Sequence, residues 1–141
     1  MESVTGLIVS GLVGGATSFL VARWTLTRDM KKRDYAHLDM LYQKVLELYL
    51  LYPQFQDIEQ TRDFKKSFGD KALVYDAFAA VIHNFLESIF DLAVKNDDID
   101  RQWAHIFDYH AKLHLRWLLA DARPFEPEYY EFIKRKYRTL I

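Results

Sequence analysis

The chain of 141 residues has no cysteine, three prolines and five glycines. The lack of cysteine excludes disulfides, thiolate metal sites and a cysteine nucleophile, and it agrees with a cytosolic location for the folded part. The charges nearly balance, with 19 Lys and Arg against 20 Asp and Glu. A chain without a strongly basic body lacks the electrostatic surface that nucleic-acid binding requires, so we expect no nucleic-acid partner.

Glycine-dependent motifs are also missing from the sequence. Neither GxGxxG nor GxxxxGK[ST] occurs, and there is no GxSxG nucleophile turn and no HExxH. These patterns supply phosphate cradles, activated serines and zinc sites in the common enzyme classes. The sequence therefore predicts a protein that is not an enzyme and that carries no cofactor.

One long uncharged segment is present instead. Residues 3–22 contain no charged side chain, and a helix of about 20 residues is long enough to cross a bilayer core of roughly 30 Å. A cleavable signal would place cations before the apolar run, whereas here Glu2 precedes it and the cations follow. We predict a retained transmembrane helix over residues 3–22.

A basic juxtamembrane segment, residues 23–33, follows the predicted span. It holds five cations and one acid, and the excess of cations marks the cytoplasmic side. We expect a single-pass membrane protein with its N-terminus outside and residues 34–141 forming a cytoplasmic domain. The residues expected at the membrane surface are Arg23, Trp24, Arg28, Lys31, Lys32 and Arg33.

Small residues recur on one side of the predicted span. They are Ser10, Gly11, Gly14, Gly15 and Ser18. Such a stripe lets another helix approach closely, although glycine is also common in transmembrane helices that have no partner. Besides the lipid bilayer, we expect another membrane protein or a second copy of the chain to pack against this face.

Apolar residues at steps of three and four predict an all-α fold. No glycine or proline lies between Gly15 and Pro53, so the membrane helix continues into the first cytosolic helix or restarts after a brief break. A mixed polar connection with one short helix is expected over residues 54–69. Further helices are predicted from Asp70 to about Lys95, over residues 99–120 and over residues 129–137, giving a cytosolic bundle of three to four helices.

Histidines and acids on two predicted helices form the main candidate for chemistry. His110 and His114 lie one turn apart on an apolar side, and the preceding helix carries His83, Glu87 and Asp91 at steps of four. Two imidazoles and a carboxylate are ligands that a transition metal accepts. The alternative is that the histidines are buried rings bonded to a carboxylate or carbonyl, with His83, Glu87 and Asp91 on a solvated face.

Aromatic residues make up 16% of the chain. Phe78, Phe85 and Trp117 occupy core positions of their predicted helices. The tyrosines near helix ends are expected to be exposed or at an interface; they are Tyr49, Tyr52, Tyr129 and Tyr130.

The chain contains a set of aromatic and apolar positions in the segment from Tyr75 to Asp91, at Trp103, in the stretch from His114 to Trp117, at Phe125 and at Phe132. In these positions it resembles a group of small bacterial proteins. Those proteins have one N-terminal span, a helical cytosolic domain and no known activity. The resemblance implies a bacterial inner (plasma) membrane setting and supplies no functional residues.

Three functional hypotheses follow from the sequence. The first is a non-enzymatic, single-pass membrane protein that acts as an interaction module or accessory subunit of a larger membrane assembly. The second is a metal-binding helical bundle that uses His110 and His114 with Glu87 or His83. The third is a membrane-tethered sensor or effector of a small ligand held in the bundle.

Overall fold

A computed structural model describes the backbone of residues 2–120 and 124–141, and the side chains of residues 19–120 and 124–141. Helix accounts for 89% of the structure, and these residues contain no strand. The prediction of an all-α fold is confirmed.

Seven α-helices are described in these ranges, together with three short 3₁₀ turns at Pro53–Gln56, Gly69–Lys71 and Arg138–Leu140. The helices are α1 (Glu2–Leu51), α2 (Ile58–Arg62), α3 (Phe64–Ser67), α4 (Ala72–Ala93), α5 (Asp97–Leu113), α6 (Leu115–Ala120) and α7 (Pro127–Lys136). The chain divides into two compact units, Met1–His37 and Leu38–Ile141, which are described separately below.

In the first unit, the side chains of residues 1–18 lie outside the described part of the structure. Most of the predicted span, and the whole small-residue face from Ser10 to Ser18, therefore fall outside it. From residue 19 onward the apolar side chains of this unit are exposed, namely Phe19, Leu20, Val21, Trp24, Leu26 and Met30. The guanidinium of Arg28 lies 5.4 Å from the centre of the Trp24 ring, within cation–π range.

The second unit is a helical bundle built around α4. Its inward positions recur at steps of three and four and pack chiefly against α5, with α3 and α6 also in contact. The phenylalanine and tryptophan predicted for the core are all buried there: Phe78, Phe85 and Trp117. At the start of α5, the side chain of Asn96 accepts a hydrogen bond from the backbone N–H of Asp98, which caps the helix.

Among the described residues, one helical stretch is long and apolar enough to span a membrane, Gly69–Ala93. Within that stretch, 44% of the most apolar 18-residue segment is buried inside the protein. Phe78, Ile82 and Phe85 of this stretch line the bundle interior, and a core helix of a folded domain can have the same length and hydropathy.

Three local features differ from the sequence predictions. Asp70 does not cap α4, because Gly69, with φ +44°, starts a 3₁₀ turn that shifts the N-cap to Lys71. The connection after Pro53 holds two short α-helices where one was expected, and Asp57 caps the first of them. The helix predicted over residues 99–120 is interrupted at His114, where α5 ends and α6 begins.

Candidate functional site

Three histidines lie inside the helical bundle of residues 38–141. His83 is on α4, His110 is on the last turn of α5, and His114 is the C-cap residue of α5. All three are buried, and His110 is only 3% exposed. A buried imidazole needs hydrogen-bond partners for its two ring nitrogens, and the bundle supplies tyrosine hydroxyls for most of them.

Four of these side chains form a linear series of hydrogen bonds, which we call the relay: Tyr75, His114, Tyr49 and His110. The Tyr75 hydroxyl lies 2.9 Å from Nδ1 of His114, and Nε2 of His114 lies 2.9 Å from the Tyr49 hydroxyl. The Tyr49 hydroxyl also lies 2.8 Å from Nδ1 of His110. The relay therefore connects α1, α4 and the end of α5.

The number of hydrogen atoms limits the relay to two arrangements. Each hydroxyl and each neutral imidazole has one hydrogen to donate, so all three bonds must run in the same direction. If they ran toward Tyr75, its hydroxyl hydrogen would have no acceptor among the described residues, at a fully buried position. We therefore assign the direction from Tyr75 to His110, with both relay histidines protonated on Nε2.

His83 forms a second branch with a fixed tautomer. Its Nε2 lies 3.2 Å from the backbone carbonyl of His114, which only accepts, so Nε2 carries the hydrogen. Nδ1 then accepts from the Tyr129 hydroxyl at 2.8 Å. The His83 ring stacks on Trp117, whose indole N–H donates to Asp76. This branch ties α4, α6 and α7 to the point where α5 ends.

Burial keeps the relay uncharged at neutral pH. It lowers the pKa of His110 to about 4 and lowers the pKa of His114 well below 6.5, where the nearby His83 and His110 act in the same direction. Burial likewise raises the pKa of Tyr49 and of Tyr75 far above 10, with a further contribution from neighbouring tyrosines at Tyr49. Neutral imidazoles and neutral phenols are therefore the ground state.

Aromatic rings enclose the relay. The Tyr49 ring stacks on His110 with centroids 5.3 Å apart, and Phe78 meets the edges of Tyr49 and His114 at 5.1 and 5.5 Å. Phe55 and Phe68 cover Tyr75 at 5.0 and 4.6 Å. These rings exclude water from the Tyr75 end of the relay, so the His110 end is the one that reaches the surface.

A half-open cavity of about 550 Å³ lies at the His110 end. It is formed by the end of α1, the 3₁₀ turn after it and the middle of α5. Its lining residues are Tyr42, Leu46, Tyr49, Leu50, Gln56, His105, Ile106, Tyr109 and His110. Two members of the relay, Tyr49 and His110, line the cavity, and the rest of its lining is mainly apolar or aromatic.

The residues predicted as metal ligands are divided between different roles. His110 and His114 do lie together on the core side of α5, but Tyr49 bridges them, and both nitrogens of His114 are bonded to hydroxyls. Glu87 accepts a hydrogen bond from the backbone N–H of Glu126. Across the described residues, no group of three or more histidines and carboxylates is arranged to hold a metal ion.

Three sequence expectations about individual side chains near this site were wrong. Tyr49 and Tyr129 are buried, not exposed, because their hydroxyls bond to the core histidines. His83 also lies in the core, whereas Asp91, which was grouped with it on a solvated face, is exposed. The alternative interpretation of His110 and His114 named a carboxylate or carbonyl as their partner, and the partners are tyrosine hydroxyls. The sequence feature that could have indicated this pairing is that tyrosines and histidines both occupy inward-facing positions of their helices.

Comparison of the chain with protein-family models, with curated proteins and with solved structures finds no match. Function therefore has to be inferred from the chain's own residues.

Two tyrosine-to-phenylalanine substitutions test the relay. Tyr49→Phe removes the donor to His110 and the acceptor for His114, so it leaves two buried groups without partners. Tyr75→Phe makes the same chemical change but leaves one group without a partner. Each such group costs about 1–3 kcal/mol, so we expect Tyr49→Phe to lower the free energy of unfolding by about that much more than Tyr75→Phe. Denaturant unfolding of the full chain under one set of conditions measures both losses; equal losses would contradict the relay.

The buried histidines also predict a loss of stability in acid. The folded-state pKa of His110, about 4, lies below the ordinary value of 6.5, so the unfolded chain binds more protons between these values. The free energy of unfolding then falls as the pH falls from about 7 to 4, by about 1.4 kcal/mol per pH unit for this histidine, and His114 adds a slope of the same sign. His110→Phe should reduce the slope of the free energy of unfolding against pH by the contribution of this one histidine, about 1.4 kcal/mol per pH unit. Equal slopes in parent and variant would contradict the assignment.

Proposed function

We propose that this chain is a non-enzymatic, single-pass membrane protein whose helical cytoplasmic domain serves as an interaction module or accessory subunit of a larger membrane assembly. The proposed setting is a bacterial inner membrane, with the N-terminus outside. The observation that carries the proposal is the apolar surface of α1 next to the basic segment.

The apolar side chains of residues 19–26 are exposed on several sides of α1. Phe19, Leu20 and Val21 are consecutive and therefore point in different directions around the helix, and all three are exposed, as are Trp24 and Leu26. A helix that is apolar all round normally lies in a protein core or in a membrane. Burying each large apolar side chain is worth about 1.5–3 kcal/mol, so covering this group by lipid is strongly favourable.

The charges that follow support the orientation. Arg23, Arg28 and the run from Lys31 to Arg33 are exposed, and Trp24 lies between the first two of them. Tryptophan is enriched at the bilayer interface, and cations near the cytoplasmic leaflet gain about 1 kcal/mol each from anionic lipids. This order of residues supports a cytoplasmic location for residues 34–141.

The proposal of a non-enzymatic role draws on the missing catalytic motifs and on the way the histidines are used. In the relay, both nitrogens of His114 and one of His110 bind tyrosine hydroxyls, and His83 binds Tyr129 and a backbone carbonyl. These bonds account for the histidines as structural groups. The metal-binding alternative is less well supported, because a metal at His114 would have to displace Tyr49 or Tyr75.

The small-residue face of the predicted span is the proposed contact with the partner. Replacing Gly11 and Gly15 by leucine puts bulk where a neighbouring helix would approach, whereas Val9 and Val13 lie on the opposite side by helical spacing. The double variant Gly11→Leu/Gly15→Leu should lose most of the partner captured by crosslinking in native membranes, and Val9→Leu/Val13→Leu should keep it. Mass spectrometry of the crosslinked products measures both.

Two results would contradict the proposal. One is a parent protein that is recovered in the soluble fraction after the membranes are sedimented. The other is a membrane-bound protein that extracts into mild detergent as a lone monomer and forms no crosslink to itself or to another membrane protein.

A further inference from the structure

The relay leaves one polar atom of a buried ring without a protein partner. Nδ1 of His110 is bonded to Tyr49, and no hydrogen bond joins Nε2 of His110 to any described residue. This nitrogen is not completely sealed from solvent. His110 is only 3% exposed and lines the cavity, so the cavity is the space through which a ligand can reach its Nε2–H.

The direction of the relay makes this nitrogen a hydrogen-bond donor. With Tyr49 donating to Nδ1, the single hydrogen of the neutral ring is on Nε2. The His110 ring is held by the hydrogen bond from Tyr49 to its Nδ1 and by stacking on the Tyr49 ring, so this donor is pre-oriented. A ligand that accepts from it therefore loses little entropy in ordering the protein. The group it would bind is an acceptor oxygen.

The rest of the cavity lining restricts the body of the ligand. Leu46, Leu50 and Ile106 offer aliphatic surface, and Tyr42 and Tyr109 present rings whose planes are steeply inclined to that of His110. No lysine, arginine, aspartate or glutamate lines the cavity. A permanent charge on a ligand would be left without a counter-charge there, which is costly away from water. The volume of about 550 Å³ lies within the range of small-molecule sites.

We propose that this cavity is a binding site for a neutral, mainly apolar small molecule with a flat ring and a carbonyl-type oxygen, which accepts a hydrogen bond from Nε2 of His110. All lining residues belong to the unit Leu38–Ile141. The inference therefore goes beyond the proposed role of the membrane anchor and does not depend on it. It would give the domain a means of responding to a small ligand.

A small aromatic ketone tests the site directly. 4-Fluoroacetophenone is neutral and flat and has one carbonyl oxygen. Full-length protein in lipid nanodiscs is titrated with it, and ¹⁹F NMR follows the probe while ¹⁵N NMR follows the histidine nitrogens; empty nanodiscs give the linear background from lipid. We expect saturable binding of one probe per chain, with a dissociation constant on the order of 1 mM for a fragment of this size, and a shift of the His110 Nε2 signal.

Matched variants separate the cavity from other apolar surface. Leu46→Trp fills the cavity without removing a hydrogen-bonding group of the relay, and it should abolish the saturable signal. Leu73→Trp makes the same change on α4, at a side chain that is 84% exposed and lies outside the cavity, and should leave it unchanged. His110→Phe removes the donor and should weaken binding about tenfold.

The inference is overturned if the probe shows only the linear background of empty nanodiscs. It is equally overturned if binding persists in Leu46→Trp, or if the His110 Nε2 signal does not move while the probe saturates. Circular dichroism on each variant shows whether the helical content is retained, and Leu46→Trp supplies the decisive comparison if His110→Phe does not fold.

Discussion

The placement of a few hydrogen atoms in an apolar interior is the constraint on which the rest of the bundle depends. Three imidazoles and three phenols are buried together, and each donor among them must find an acceptor or cost about 1–3 kcal/mol. Because Tyr75 is sealed from solvent, only one direction of hydrogen bonding along the relay satisfies every inner group. That direction leaves a donor at His110, where the bundle opens to a cavity.

The same bonds explain the least regular part of the fold. Helix α5 ends at His114, although the apolar spacing continues into α6. The imidazole of His114 is held between Tyr49 and Tyr75, and its carbonyl accepts from His83. These three bonds come from α1 and α4, and they compensate for the departure from helical geometry at this residue. The chain then continues as α6, which brings Trp117 onto His83.

The sequence predicted much of this architecture but not the relay. Steps of three and four placed Phe78 and Phe85 in the core, because that signal is local. The same spacing put His110 and His114 on the buried side of their helix. It could not pair them with Tyr49, which is more than 60 residues away along the chain. Tyr49 also lies near a helix end, and this position suggested that its side chain was exposed. The break at His114 was missed for the same reason, since distant groups cause it.

The direction of the relay is the central claim, and the tautomers of the histidines test it most directly. ¹⁵N NMR of the full chain, labelled at the histidine ring nitrogens and measured at pH 7, distinguishes protonated from unprotonated nitrogens. We predict neutral rings at His110 and His114, with the hydrogen on Nε2 of each, and a hydrogen on Nε2 of His83. Hydrogen on Nδ1 of His110 and His114 would reverse the relay and remove the donor from the cavity, and a charged ring at either position would contradict the account.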